Sequence, residues 1–252
     1  MMLDLSMLAA PAPHWQPRAS RRGTAIGNCV TGAAARNGGW AMGRLDWCQN
    51  ETWNPDVESA FFAKLARAKN KTWYLQIQAG ELVSSHPETA LRLLDHYFAL
   101  GADSSQAAAH FDRGLAHAAL RNVDAAIAAF EAALACEDSN PLFRTWVYVE
   151  LPVLIATERK RALYDRAFEL LKKNRDRPHF PAEFYKWHGA QALILHDRGE
   201  TALALDEARQ ALKAAGLTHS GFQRQPKLGL VKDTRDTFGT RITEIGGEPS
   251  SS

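Results

Sequence analysis

From Trp53 onward the chain places its apolar residues three and four positions apart, the period of helices with one buried face. In "WNPDVESAFFAKLARA" the positions Ala60, Phe61, Lys64, Leu65 and Ala68 follow that spacing. Asn54 is placed to cap the first turn, and Pro55 stands at the first helical position, where a missing N–H is harmless. "KTWYLQIQAGELV" predicts a second helix and "SHPETALRLLDHYFALG" a third. Ser85 and Glu88 predict a reciprocal capping box at the start of the third, and Gly101 predicts its end. Asp103, with Gln106 in the reciprocal position, is the expected cap of a helix running to Leu120. A tight turn at Arg121-Asn122 leads into "RNVDAAIAAFEAALACED". Asn140-Pro141 and Pro181 predict two further starts, and Gly216 the end of the last strong helix. No segment between 54 and 216 has the period of two that a half-buried strand requires. The short connections predict antiparallel neighbours.

These helices read as pairs, and the pairs repeat. Ala90, Ala126, Ala167 and Ala204 take equivalent places in the second helix of each pair, at intervals of 36, 41 and 37 residues. Over 107–140, Gly114 is a small residue in the first helix, and Ala126, Phe130 and Ala133 alternate small and large in the second. Tyr74, Ile77, Ala90 and Leu94 fill corresponding positions over 71–105, and Gly199, Ala204 and Ala211 over 185–218. The unit over 141–175 departs from the pattern, because Pro152 falls inside its first helix. Proline there predicts a kink, or a break at Leu151.

The pattern resembles the tetratricopeptide repeat, a helix–turn–helix unit of about 34 residues. The resemblance covers 54–218 and is strongest over 107–140. It implies an all-α fold: a right-handed α-solenoid of antiparallel helix pairs, about four repeats plus a leading helix. It also explains the alanines. Helices that cross closely need small residues where their backbones approach, with a large residue such as Phe130 filling the gap beside them.

Composition sharpens the boundaries. At 46% hydrophobic and 23% charged, the chain has the make-up of a globular domain. Residues 1–45 carry Arg18, Arg21, Arg22, Arg36 and Arg44 against Asp4, a net charge of +4 that leaves the remainder at −2 within an overall +2. The near-neutral remainder argues against nucleic acid as a partner. Residues 1–45 are expected to be a disordered or misannotated extension, with an organelle transit peptide as one alternative and a start at Met42 as another. The repeat domain with its capping segment is expected over 46–232, and 233–252 as a mostly disordered tail. No apolar run is long enough to cross a bilayer, so no membrane partner and a cytoplasmic location are expected. Cys29, Cys48 and Cys136 are too scattered for a disulfide framework or a zinc site. Asn50-Glu51-Thr52 and Asn70-Lys71-Thr72 match the glycosylation pattern by chance.

A search for catalytic motifs finds no phosphate-binding loop, dinucleotide fingerprint, zinc-protease motif or nucleophile elbow. His110 and His117, or His188 and His196, can share a helix face but lack the spacing and carboxylate of a helical metal site. No catalytic residue, metal or cofactor is expected, and the chain is read as not an enzyme. Trp73, Tyr74, Trp146, Tyr148, Tyr185 and Trp187 stand near the starts of first helices and are expected to pack against the preceding unit.

Function in the resembled family resides on the concave face lined by first helices. The register projects onto it Leu75, Ala79 and Leu82, then Ala108, Phe111, Asp112, Leu115 and Ala119, then Gly189, Leu193 and His196. Some members hold a peptide's terminal carboxylate with Lys, Arg and Asn, a set missing from the matching positions here. The expected occupant is an apolar or amphipathic protein or peptide segment, a second copy of the chain in a homodimer, or the chain's own tail. The leading expectation is a non-enzymatic scaffold. The alternatives are a secretion-type chaperone for an unfolded client and a ligand-responsive regulatory protein using Asp112, Arg113, His117, Tyr148 and Glu150. Arg113 occupies a position that is usually apolar, and a salt bridge to another helix is its expected role. His219, Phe222, Arg224 and Lys227, followed by Leu228, Leu230 and Val231, form a turn-rich stretch expected to cap the last unit, with a binding loop as the alternative.

Overall fold

A computed structural model describes residues 45–101 and 103–247, and every regular element among them is helical. The expected extension over 1–45, but for Leu45, lies outside the described residues, as do 248–252. The α-helices are α1 (Pro55–Arg67), α2 (Lys71–Leu82), α3 (Pro87–Ala99), α4 (Gln106–Ala119), α5 (Val123–Ser139), α6 (Val147–Thr157), α7 (Tyr164–Lys173), α8 (Pro181–Asp197), α9 (Thr201–Ala215) and α10 (Thr237–Gly246). Adjacent helices pack as the pairs α2/α3, α4/α5, α6/α7 and α8/α9. Each pair then meets the next: α4 rests on α2 and α3, α6 on α5, and α8 on α6 and α7.

The ends of these helices follow local chemistry, with exceptions. Asn54 accepts hydrogen bonds from the backbone N–H of Asp56 and Val57 at 3.1 and 3.0 Å, as its capping role requires. Gly101 ends α3 with φ +104, in the left-handed region that glycine enters without a Cβ penalty. The capping box expected at Ser85 does not form. His86 is the cap of α3, and Ser85 instead donates to the carbonyl of Glu51. Asp103 does not cap α4 either, because its carboxylate receives the Tyr97 hydroxyl and the Ser105 N–H at 2.5 and 2.8 Å. Pro141 sits in a turn, and α6 begins only at Val147.

The break expected at Leu151 is also absent, since α6 continues through Pro152 to Thr157. Burial explains the tolerance. Leu151, Pro152, Ile155 and Ala156 are all in the interior, and that packing outweighs the hydrogen bond proline cannot donate.

The interior forms two apolar clusters. One joins Cys48, Phe61, α2 and α3 to Ala109 and Ala116 of α4. The other runs from Phe111 through α5–α9 to Phe238 and Ile242. Leu115 packs against both, so α4 is the seam between them.

The chain beyond 233 corrects the expected disordered tail. Thr237–Gly246 is a helix packed against α8 and α9, with a lighter contact to α6. Asp236 caps it by accepting the Gly239 N–H at 2.7 Å, and Phe238 and Ile242 bury an i, i+4 stripe. Ten residues are too few for a convincing periodic signal, and the stability of such a short helix comes from its docking.

Candidate functional site

The second-helix positions singled out for structure lie in the interior, whereas Tyr74 and Ile77 are half-buried and Gly199 is exposed at its turn. Ala90, Ala126, Ala133, Ala204 and Ala211 are fully buried, and Phe130 nearly so. The Phe130 ring lies directly against Gly114, in space that a Cβ on Gly114 would fill. That contact lets α4 and α5 approach closely.

The residues projected onto an open groove are placed differently. Leu75, Ala79 and Leu82 point into the first cluster against α3 and the Cys48 turn, and Phe111 and Leu193 into the second. Gly189 faces α10, with the Ile242 and Phe238 side chains about where its Cβ would stand. These positions therefore line interior contacts of the fold, which is a correction to the projected register. Leu115 is half-buried, and Ala119 and His196 remain exposed. The expectation fails because the projection treats each helix as isolated, whereas the small residues that allow close pairing also turn apolar neighbours inward.

First helices do meet, through polar side chains. Gln76 of α2 donates to Asp112 of α4 at 2.7 Å, and Lys186 of α8 pairs with Glu150 of α6 while its ammonium lies over the Trp146 ring. Asp112 is 3% exposed, and burial pushes its carboxyl up to about 7. Glu81 acts in the same direction, and the Gln76 amide partly offsets both. Arg113 pairs with Asp95 of α3 and stacks over Phe98, the interhelical salt bridge expected of it.

A second polar cluster escaped the sequence reading. Glu137 of α5 accepts the N–H and hydroxyl of Thr145 at 2.5 and 2.7 Å, and Thr145 in turn accepts the Val147 N–H at the start of α6. Arg177 bridges the same carboxylate at 3.2 Å and the Thr145 carbonyl at 2.9 Å, with its guanidinium over the Tyr148 ring. The Tyr148 hydroxyl donates to Glu183 at 2.6 Å, and Glu183 also receives the N–H groups of His179 and Phe180 ahead of α8. Burial beside Glu183 raises the Tyr148 phenol far above its ordinary range. At the other end of α6, Arg241 of α10 donates to the carbonyls of Ala156 and Thr157 and to Asp197. Asp197 also receives the Tyr164 hydroxyl at 2.7 Å.

A sequence signal for some of this exists. Gln76–Asp112, Asp124–Lys160, Glu131–Arg166, Tyr148–Glu183, Glu150–Lys186 and Asp165–Arg198 are separated by 33 to 36 residues. Complementary side chains one repeat apart were there to be matched.

The histidines divide. His110 lies against Phe98, and burial lowers its pKa. The His117 Nδ1 is buried without a hydrogen-bond partner. His188 pairs with Glu207 at 2.7 Å. Among the described residues no group of His, Cys, Asp and Glu could hold a metal, and no helix is long and apolar enough to cross a membrane. Cys48 and Cys136 are free thiols, and burial pushes that of Cys48 up to about 12. In comparison with known proteins, no family model, curated protein or solved structure matches the chain.

Proposed function

We propose that the chain is a scaffold of stacked helix pairs, similar to tetratricopeptide repeats, that binds a protein or peptide segment along its first helices. The observation that carries this reading is the spacing of its cross-pair polar contacts. Side chains 33 to 36 residues apart meet again and again, on first helices (Gln76–Asp112, Glu150–Lys186) and on second helices (Glu131–Arg166). A nearly constant offset is what successive units related by one repeated rotation and translation produce. The alanines and the Gly114–Phe130 contact support the same geometry. Ala119 of α4 is exposed on a first helix, while α10 covers Gly189 on α8.

The test is affinity purification from the native host with mass spectrometry, comparing the wild type with Ala119→Glu. Ala119 is exposed, so the variant leaves the fold intact and its melting temperature unchanged. A partner retained by the wild type and lost with Ala119→Glu supports the scaffold. Identical recoveries from the two proteins count against it.

A further inference from the structure

A separate edge of the molecule is built from three loops that each enter a new helix: 140–146 before α6, 174–180 before α8, and 216–236 before α10. Arg177 ties the first two through the Thr145 carbonyl, and a ring stack ties all three. Trp146 and Phe180 have centroids 6.3 Å apart, and Phe180 and Phe222 5.3 Å. The third loop holds its own shape. Ser220 donates to the carbonyls of Pro226 and Gln225 at 2.7 and 2.8 Å, closing a compact turn that carries Phe222 and Arg224.

This edge exposes large apolar side chains that the adjacent core leaves unburied. Phe222 is 41% exposed, Phe184 (one turn after Phe180) 40%, and Leu142 85%. Single exposed apolar residues are ordinary, whereas several on linked loops mark a contact surface.

The three loops carry a net positive charge, with Arg144, Arg175, Arg177, Arg224, Lys227, Lys232 and Arg235 against Asp176, Asp233 and Asp236. From Ala208 to Lys232 there are Arg209, Lys213, Arg224, Lys227 and Lys232 and no acidic residue. The neighbouring carboxylates are already committed: Glu137 to Arg177, Asp138 to Lys173, Glu150 to Lys186, Asp176 to Arg175, Glu183 to Tyr148 and Asp233 to Arg235. Arg144, Arg224 and Lys227 pair with no carboxylate among the described residues.

We propose that this edge docks an acidic peptide segment of another protein, one that carries aromatic or aliphatic anchors among its carboxylates. The apolar side chains receive the anchors, and the free cations select the charge and speed the encounter. Single-stranded nucleic acid fits less well. It requires a run of open ring faces for stacking, whereas the most exposed apolar side chain here, Leu142, has no ring, and Phe180 is shared with Trp146 and Phe222 at tilts of 34° and 32°.

The test pans a random peptide-display library against the full chain. Enrichment of Asp and Glu around Phe, Leu or Trp is the expected outcome. A selected peptide should then lose affinity about tenfold or more on Phe222→Ala, the effect of removing an aromatic anchor. The double variant Arg224→Glu, Lys227→Glu should lose as much, and Ala119→Glu should lose nothing. These side chains are exposed, so melting temperatures should hold; if Phe222→Ala lowers its own, Leu142→Ser takes its place in the comparison. Selection of neutral or basic sequences, no enrichment, affinity unchanged by the edge variants, or tighter binding of a poly-dT oligonucleotide than of the selected peptide overturns the proposal.

Discussion

The α4/α5 and α6/α7 pairs occupy the same role in the chain and are held in different ways. In α4/α5 the joint is steric: Phe130 fills the space that Gly114 leaves, and Ala126 and Ala133 are fully buried. In α6/α7 the first helix carries Pro152 in its interior and is fixed from outside. Glu137 sets its start through Thr145, Arg177 locks that junction, and Arg241 satisfies carbonyls at its end. One pair is specified by the sizes of its own side chains. The other is specified by hydrogen bonds from elements on either side.

The comparison breaks first at Glu137. Glu137→Ala removes the carboxylate that pairs with Arg177 and accepts the Thr145 N–H and hydroxyl, and should cost about 3 kcal/mol or more in urea unfolding. Ala126→Leu attacks the steric pair and should cost about 1–3 kcal/mol by overpacking. If Ala126→Leu proved the more damaging of the two, the contrast between the pairs would be reversed.

Two tyrosines sharpen the polar side. Tyr148→Phe removes a buried donor to Glu183 and should lower stability by about 1–2 kcal/mol. The Tyr185 hydroxyl is buried against α10 without a partner, so Tyr185→Phe should be neutral or raise stability by up to about 1 kcal/mol. Thermal melts of the two variants side by side check the difference in sign.

A pH-dependent effect concerns the seam at α4. The Asp112 carboxyl is raised from 3.8 to about 7, so its contribution to stability is fully present below pH 3.8 and is lost as pH rises through about 7. Asp112→Asn has no such titration. Its stability relative to the wild type should therefore climb between those two values and level off above them. Urea midpoints measured across that range check it, and a flat difference would mean that Asp112 does not titrate there.

What the sequence made legible follows from the same contrast. Helix periods, the Asn54 cap, the Gly101 terminus and the small–large alternation around Phe130 are short-range signals, and each appears in the structure. Besides the Glu137–Arg177 cluster, three kinds of feature escaped. Asp103 and Ser85 hydrogen-bond away from the helices they precede, because other acceptors and donors lie within reach. The docked helix at 237–246 is too short to announce itself. The groove projection failed because Leu75, Ala79, Phe111 and Gly189 depend on which neighbour each helix meets, and a single helix's pattern does not contain that information.

The Arg241 contacts with Ala156 and Thr157 join positions 85 and 84 residues apart. On a ribosome this separation becomes a delay. The α4/α5 pair has all of its own packing residues once Ser139 has emerged, and can close early. The end of α6 waits for Arg241, which is made 85 residues after Ala156. A nascent chain stalled before that residue should have a settled α4/α5 pair and an α6 still open to proteases and chaperones.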